Sequence, residues 1–282
     1  MLRQRIESRA DALLALTTTA ITLIVLSLPL ALLWDVLVAG IPQLSFGFLF
    51  DSPTDAGRGG GIAPLIVSTL WILATCLAVA LPIGLGCALF LSELVPVGSR
   101  LERYLSYSLD VLSGVPSIVF GLFGYRFFAI ELGLGFSILS GGLSLACMIL
   151  PLLIRTSEQA FRATPLRYRQ ASAALAISRF GFLWNILLPV AGPGVAVAII
   201  LSVGRALAET AVLLFTAGYV MRMPDSVLDS GRTLSVHIYD LAMNVPGGGG
   251  NAAATAVVLL SVLILINTAA RRLGNYWHRM ER

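Results

Sequence analysis

Six long apolar runs organise the chain, and shorter polar segments separate them. Runs of this kind are typical of transmembrane helices, because a helix needs about 20 apolar residues to cross the hydrocarbon core of a bilayer. The pattern predicts an all-α, polytopic integral membrane protein with one transmembrane domain over residues 12–270. The predicted spans are residues 12–39, 62–91, 111–130, 138–154, 193–217 and 252–270.

A long polar segment, residues 155–189, separates the fourth and fifth predicted spans, and it is rich in arginine. Residues 166–177 contain four alanines and neither glycine nor proline, a composition that favours a helix. Pro165 suits the first turn of that helix, and a second short helix is expected at residues 180–188. We expect these two helices to lie beside the bilayer and to present small side chains to a soluble partner.

The distribution of arginine predicts which side of the membrane each segment occupies. Cytoplasmic segments of membrane proteins carry an excess of basic residues. The predicted cytoplasmic side comprises the N-terminus (residues 1–11), the loop 155–189 and the C-terminus (residues 271–282), together with the loop between spans two and three. It collects fourteen arginines against four outside, and Arg205 lies within the fifth span. The fourteen are Arg3, Arg5, Arg9, Arg100, Arg103, Arg155, Arg162, Arg167, Arg169, Arg179, Arg271, Arg272, Arg279 and Arg282, and the four are Arg58, Arg126, Arg222 and Arg232.

Composition narrows the class of protein further. With 57% hydrophobic and 12% charged residues, the chain is too apolar for an ordinary water-soluble domain. The net charge of +4 is explained by topology, so we expect no nucleic-acid partner. All 19 basic residues are arginine, which excludes a phosphate-binding loop ending in Lys-Ser/Thr. Work driven by ATP would therefore need a separate nucleotide-binding chain, and the chain alone is not expected to be an enzyme.

No metal or cofactor is expected from the residues that commonly bind one. The three cysteines, Cys76, Cys87 and Cys147, fall inside apolar runs and are interpreted as packing residues. His237 and His278 are isolated from each other in the sequence, so neither is assigned a metal-binding or proton-relay role.

The fifth span contains charged residues at a depth where charge is costly. Arg205 and Glu209 are four residues apart, so an uninterrupted helix would place them on one face. A charge at the bilayer centre costs about 2.5–3.5 kcal/mol on insertion scales, so this face should meet a bundle interior or an aqueous path. Two interpretations stay open: the pair locks two helices together, or Arg205 offers its donor fork to a passing oxyanion. The same arc contains Ala198, Ser202 and Thr216.

Two further polar residues lie at the ends of the third span. Arg126, near the predicted outer end, either attracts anions at the mouth of a pathway or extends to the membrane interface. Asp110, at the inner end, is expected to cap a helix.

The polar loop carries a series of residues that resembles a known signature. Its residues match in spacing the E-A-A, Gly, Ile-x-Leu-Pro signature of ABC-importer permeases, with Gln170 in place of the Glu and Ala176 in place of the Gly. In that family the loop docks into a groove on an ATPase subunit. The resemblance implies an ATPase-coupling role for Gln170, Ala171, Ser172, Ala174, Ala176, Arg179, Leu188 and Pro189, with Ile186 completing the series.

Further blocks from residue 59 onward are similar to the A-type permease of phosphate-specific (Pst) ABC importers. They include GGGIAP at 59–64, GVPSIVFGLFG at 114–124, GRALAETAVLLFTAG at 204–218 and TLSVHIYDLA at 233–242. In the R-x-x-G-E-T stretch of that family, Arg205, Glu209 and Thr210 match and Ala208 replaces the glycine.

This resemblance implies a type I, MetI-like permease fold with cytoplasmic coupling helices in a bacterial inner membrane. It also implies four kinds of partner besides lipid: a second, homologous permease, two ATP-binding subunits, an extracytoplasmic phosphate-binding protein, and phosphate itself. The sequence thus predicts half of the pathway of an ATP-driven phosphate importer working by alternating access, with residues 155–189 moving as a rigid body. The expected pathway residues are Arg205, Glu209, Ser202, Thr210 and Arg126.

Three alternatives stay open. A permease for sulfate, molybdate or phosphonate would carry a similar loop. A proton-coupled secondary transporter would need intramembrane carboxylates and usually an internal repeat of spans, whereas one deep carboxylate, Glu209, is present. A passive channel or assembly scaffold would show no effect of substrate-loaded binding protein on ATP turnover.

Overall fold

The computed structural model describes the backbone of residues 2–280 and the side chains of residues 11–269. Within these limits the chain is helical apart from its connections and one short antiparallel ribbon, β1 (Pro53–Thr54) paired with β2 (Gly59–Gly60). The helices are α1 (Leu2–Gly40), α2 (Phe46–Phe50), α3 (Ala63–Leu89), α4 (Arg100–Ser113), α5 (Ser117–Gly124), α6 (Ile138–Arg162), α7 (Leu166–Ala174), α8 (Arg179–Phe182), α9 (Leu188–Ala208), α10 (Ala211–Thr216), α11 (Leu234–Met243) and α12 (Gly249–Met280). Wide π-helical turns follow three of them, at Phe90–Leu94, Tyr125–Glu131 and Leu183–Leu187.

The predicted all-α, polytopic fold is confirmed. Among the described residues, five helices are long and apolar enough to cross a membrane, and the bent pair Arg100–Ser113 and Ser117–Glu131 makes a sixth if it counts as one span. The predicted terminal arginines at positions 3, 5 and 9 and after residue 270 lie outside the residues whose side chains are described, as does His278.

The centre of the bundle is the contact between α3 and α6, which run in parallel. A Cβ at Gly84 would lie 2.6 Å from Leu153 Cδ2, and one at Gly142 would lie 2.7 Å from Thr75 Cβ. Small residues at a helix contact let two backbones approach closely, which is how helices associate where lipid weakens the hydrophobic effect. The α3–α6 pair therefore forms a rigid centre against which α9 packs, and α12 packs in turn on α9.

The third predicted span, residues 111–130, is wrong as a single straight helix. The helix α4 ends at Ser113, α5 begins at Ser117, and the two axes meet at 94°. Pro116 explains the break, because proline lacks a backbone N–H and disfavours the helical conformation of the residue before it. The small residues of α5 make close helix contacts, since Gly121 packs on Val212 of α10 and Gly124 on Ser144 of α6.

The predicted boundaries around residues 155–189 also need correction. The helix α6 continues to Arg162, eight residues beyond the predicted end of the fourth span. The expected separate helix at 180–188 does not form, because Arg179–Ala208 is one continuous helix with a wide turn just before Pro189. Only α7 lies between the two long helices.

The fifth span is in turn broken at Glu209 and Thr210, so it does not run to residue 217 in one piece.

The two ends of the bundle differ in construction. We call the end formed by residues 90–110 and 155–189 the arginine end, and the end formed by residues 40–62 and 217–251 the ribbon end. At the ribbon end the side-chain amide of Asn251 donates to the carbonyls of Gly57 and Arg58, at 3.1 and 2.8 Å. These two hydrogen bonds hold the β-ribbon against the start of α12.

Candidate functional site

Residues 163–184 project beyond the ends of α6 and α9, and we call them the projecting segment. Large apolar side chains on its surface are exposed, with Leu175 at 73% and Phe180 at 70%, and Leu166 and Trp184 also exposed. Phe180 and Trp184 lie together, with ring centroids 5.9 Å apart. An exposed apolar patch rimmed by polar residues is typical of a surface that binds another protein.

The structure places most of the predicted coupling residues on this surface. Gln170, Ala171, Ala174, Ala176 and Arg179 are exposed. Three others lie elsewhere: Ser172 is buried, and Leu188 and Pro189 are half-buried at the start of α9. The small exposed side chains of α7 and its C-terminal turn thus form one face beside the apolar patch.

Ala176 lies in the turn that ends α7 and adopts a left-handed backbone conformation, with φ of 50°. The amide of Ala176 donates to Ala173 at 3.1 Å and that of Ile177 to Ser172 at 3.0 Å. This pair of hydrogen bonds is the Schellman arrangement, in which glycine is preferred at the left-handed position. Ala176 occupies the position of the signature's glycine, so the turn keeps its shape although a Cβ is present.

A buried carboxylate lies directly behind the projecting segment. Glu158 of α6 is 3% exposed, and its two oxygens meet two arginines of the same helix. Arg162 Nε donates to Glu158 Oε1 at 2.9 Å, and Arg155 Nη1 donates to Oε2 at 3.3 Å. Arg155 then reaches α4, and Arg162 reaches the residues that follow α3. We call this set of side chains, with their partners on α3, α4 and α7, the Glu158 network.

Arg155 connects the Glu158 network to α4. Its guanidinium donates to Asp110 Oδ1 at 2.8 Å, to the Ser106 hydroxyl at 3.1 Å and to the Ser106 carbonyl at 3.0 Å. Asp110 is thus a partner of α6 in addition to its place near the end of α4. The polar side of α4 faces the protein, while Leu101, Tyr104 and Tyr107 on the same helix are exposed.

Arg162 and Arg169 connect the network to the end of α3. Arg162 donates to the carbonyl of Leu91 at 3.1 Å and lies 3.5 Å from Glu102 of α4. Arg169, on α7, lies 2.8 Å from Glu93 and donates to its second oxygen at 3.0 Å. From the sequence, these arginines were expected only to mark the cytoplasmic side; the spacing of 155, 158 and 162 on one helical face is the signal that points to an ion-pair network.

The expected ion pair between Arg205 and Glu209 is wrong. Because α9 ends at Ala208 and Glu209 has extended backbone, the two side chains do not share a helical face. In the described part of the chain no ion pair joins them. Glu209 Oε1 instead accepts from the amide of Ala211 at 3.1 Å, and its carbonyl accepts from the Ser235 hydroxyl at 2.7 Å. Glu209 thus closes the start of α10, and the guanidinium of Arg205 is exposed.

The rest of the expected polar face is also divided. Ser202 and Thr216 are buried in the core, where their hydroxyls donate to the carbonyls of Ala198 and Val212 in their own helices. Thr210, in the break itself, is half-buried. Arg126 lies away from this region and pairs with Glu131 at 3.1 Å on an exposed surface. Arg205, Glu209 and Thr210 therefore lie at one place in the chain, the end of α9 and the break after it, without a hydrogen bond or ion pair between their side chains among the described residues.

A buried polar cluster at the ribbon end was not found from the sequence. Arg232 is buried, donates to Asp240 Oδ2 at 2.8 Å, and lies with its guanidinium over the ring of Tyr219. His237 is 1% exposed, with Nδ1 3.4 Å from Arg232 Nη1. Burial and the positive charge of Arg232 lower the pKa of His237 to about 4, against a smaller opposing effect of Asp240. The spacing of 232, 237 and 240 across a helix start was the available signal.

These features together define a class: a helical permease with a bundle of spans and a projecting segment between two of them. The chain belongs to the family of binding-protein-dependent transport system inner membrane components, which matches residues 80–278. It is therefore a permease subunit of an ABC importer.

Curated relatives are similar over much of the chain. A probable ABC transporter permease protein, YqgI of Bacillus subtilis, is 31% identical over 254 residues, covering 85% of this chain and 86% of the relative. The phosphate transport system permease protein PstC of Mycobacterium leprae is 33% identical and covers 68% of each chain. The phosphate transport system permease protein PstA 1 of Mycobacterium tuberculosis is 34% identical over 160 residues, covering 57% of this chain and 52% of the relative.

Solved structures show the same fold at low sequence identity. A chain of the MetNI methionine ABC transporter, in an inward-facing conformation, superposes with a TM-score of 0.59 at 18% identity, covering 76% of this chain and 96% of that one. A chain of a bacterial ABC transporter involved in alginate import superposes with a TM-score of 0.61 at 16% identity, covering 92% and 94%. The expected MetI-like permease fold is confirmed.

Proposed function

We propose that this permease subunit carries inorganic phosphate, as half of the pathway of an importer in a bacterial inner membrane. The observation that carries the proposal is the similarity to permeases named for phosphate transport, of both the PstA and the PstC kind. The Arg-x-x-x-Glu-Thr stretch, residues 205–210, lies where α9 breaks, which adds a chemical argument. The A-type assignment is part of the same proposal.

The placement of Arg205 supports an anion pathway. Its guanidinium is exposed on a helix that is otherwise apolar enough to cross a membrane. An arginine facing hydrocarbon would be costly, so we propose that this surface lines an aqueous path shared with a second, homologous permease. A planar fork of N–H donors fits two oxygens of a tetrahedral oxyanion. Thr210 and the backbone of the break complete the proposed contact, and Glu209 holds the break in place.

We propose further that the projecting segment docks on an ATP-binding subunit. Its apolar patch and the small exposed residues of α7 are the support for this role. The arginine end would then be cytoplasmic, together with both termini, and the ribbon end would face an extracytoplasmic phosphate-binding protein. ATP-driven movement of two such subunits would re-orient the pathway by alternating access.

The test uses the whole complex, purified with the ATP-binding subunit that it retains and reconstituted in proteoliposomes. Uptake of labelled phosphate should exceed that of sulfate, molybdate and phosphonate, and phosphate-loaded binding protein should raise ATP turnover. If another of these anions is taken up in preference to phosphate, that anion is the substrate and the phosphate proposal is wrong. Transport that survives ATP depletion would instead support a secondary transporter.

The contribution of Arg205 is tested by substitution in the same system. Arg205→Ala should abolish uptake, whereas Arg205→Lys should keep a small part of it, because lysine retains the charge and loses the fork. Arg103→Ala, at an exposed position of α4 outside the Glu158 network, is the matched control and should leave uptake unchanged. Equal uptake by the Arg205→Ala variant and the control would contradict a role for Arg205 in the pathway.

A further inference from the structure

The Glu158 network meets four elements at one place. Its arginines extend from α6 to Ser106 and Asp110 on α4, and to the Leu91 carbonyl at the end of α3. Arg169 adds the link from α7 to Glu93, and it also donates to the Phe161 carbonyl of α6 at 3.3 Å. The covalent path from α7 to the bundle runs only through α6 and α9. The network therefore provides the connection from α7 to α4.

The helix α4 has few other attachments to the body of the protein. None of its side chains is fully buried: Leu101, Tyr104 and Tyr107 face outward, while Leu105 and Leu109 pack against a buried apolar cluster at the arginine end. Its remaining attachments are hydrogen bonds and ion pairs on its polar side, centred on Arg155 and Arg162. Glu158 between these arginines is buried, so a carboxylate left there without them would be costly, whereas outer partners such as Asp110 stay exposed to water.

A continuous set of contacts leads from α4 to the break beside Arg205. The chain turns through 94° at residues 114–116 into α5. On α5, a Cβ at Gly121 would lie 3.1 Å from the Ala211 carbonyl, and Ala211 directly follows Thr210. Displacement of α4 would therefore reach α10 through a close backbone contact, which leaves little space for a side chain at position 121.

We propose that Glu158, through Arg155 and Arg162, is a positioning residue that holds α4 and the end of α3 on α6, and that the Arg169–Glu93 pair adds α7, so that these elements move as one body. Motion of the projecting segment then reaches the Arg205 break along α4 and α5, in addition to the direct route through α6 and α9. The inference rests on the proposed coupling function and names residues that the family signature does not include.

The first test substitutes Glu158→Gln in the full complex, which keeps the size of the side chain and removes the charge that both arginines share. The variant should assemble and hydrolyse ATP at the basal rate, while the stimulation of ATP turnover by phosphate-loaded binding protein should fall by at least about fivefold. Arg103→Gln, which removes an exposed charge of α4 outside the Glu158 network, is the control and should keep full stimulation.

A charge exchange provides the second test. Glu93→Arg and Arg169→Glu should each reduce stimulation, and the double variant should recover most of it, because the ion pair between α3 and α7 is restored with reversed sign. A role in folding alone would show as lost assembly in the single variants and would not predict recovery of stimulation at unchanged basal turnover. Full stimulation in Glu158→Gln, or no recovery in the double variant, would overturn the proposal.

A distance measurement separates failure of this inference from failure of the proposed function. Spin labels at Arg167 of α7 and Tyr104 of α4, both exposed, report the separation of the two helices in a chain whose cysteines are replaced by serine. In the parent complex the distance should stay constant on ATP binding, and with Glu158→Gln it should change. If phosphate-loaded binding protein does not raise the ATP turnover of the wild-type complex, the phosphate proposal alone is contradicted. If the distance between the labels responds to ATP in the same way in the parent complex and in Glu158→Gln, the positioning role is contradicted.

Discussion

The two ends of this bundle both concentrate charge, but they use it differently. At the arginine end, ion pairs join separate helices at the surface, and large apolar side chains beside them stay exposed. At the ribbon end, Arg232, Asp240 and His237 are collected behind Tyr219 inside a single cluster. The first arrangement joins separate helices to one another, and the second fixes a loop to the bundle.

The difference follows from burial. A buried pair contributes little net stability while both partners are present, yet loss of one partner leaves an unpaired charge in a poor solvent. A half-exposed network tolerates the loss better, because water solvates what remains. The ribbon end should therefore control the stability of the chain, and the arginine end should control what the chain does with its partners.

The largest expected effect on stability is at the ribbon end. Arg232→Ala removes the partner of Asp240 and should lower the free energy of unfolding by about 3 kcal/mol, as for other buried ion pairs that lose one member. Thermal unfolding in detergent measures the change. Arg222→Ala, an exposed arginine of the same segment, should shift stability by less than about 0.5 kcal/mol. Equal shifts for the two variants would remove the contrast between buried and exposed charge.

The second effect depends on pH. The pKa of His237 is lowered to about 4 in the folded chain, while an unfolded histidine titrates near 6.5. The unfolded state then binds more protons between these values, so stability is fully present above about pH 6.5 and falls as the pH decreases towards 4. The slope should approach about 1.4 kcal/mol per pH unit. His237→Gln should flatten the thermal-unfolding curve in this window, and an unchanged slope would contradict the assignment.

A smaller effect, of opposite sign, is expected at the arginine end. Ala176 adopts φ of 50°, a conformation that glycine tolerates without the strain of a Cβ. Ala176→Gly should therefore raise the free energy of unfolding by about 0.5–1 kcal/mol, whereas Ala171→Gly, at an exposed position inside α7, should lower it by a similar amount. Thermal unfolding of the two variants compares the positions directly. Destabilisation by both substitutions would mean that the turn is not strained.

The smallest change in stability should accompany the largest change in assembly. Ala174→Asp places a charge on the exposed face of α7 and should alter stability by less than about 0.5 kcal/mol. If the projecting segment docks on an ATP-binding subunit, the same substitution should abolish co-purification of that subunit with the chain. Retained co-purification with intact membrane insertion would place the dock elsewhere.

The number of spans and the projecting segment could be predicted from the sequence, because hydrophobic length and helix composition are local properties. The breaks were harder. Proline at position 116 was visible, but whether a proline bends a helix slightly or turns it by 94° depends on what the two halves pack against. The break at residues 209–210 carries no glycine or proline, and it depends on Ser235, 26 residues away in the sequence, bonding to the Glu209 carbonyl.

The residues of the candidate site likewise fall into those that local sequence could indicate and those that depend on distant contacts. Arg205 and Thr210 were chosen from their type and position within a span, and their place in a pathway stays a prediction. The expected pairing of Arg205 with Glu209 was wrong, because it required an unbroken helix. The contacts of Glu158 with α3 and α4, and the cluster around Arg232, join residues that are distant in sequence or lie across a turn. Periodicity within one helix contains no information about such contacts.

The right-angled turn at residues 114–116 has a consequence for the surrounding lipid. Beyond it, α5 has eight residues and the wide turn that follows has seven. At about 1.5 Å per residue this segment rises about 22 Å, well short of the roughly 30 Å of an average hydrocarbon core. Such hydrophobic mismatch is relieved by local thinning of the bilayer or by neighbours that shield the short segment from acyl chains. The thickness of the membrane is thus a variable to which the activity of this permease should respond.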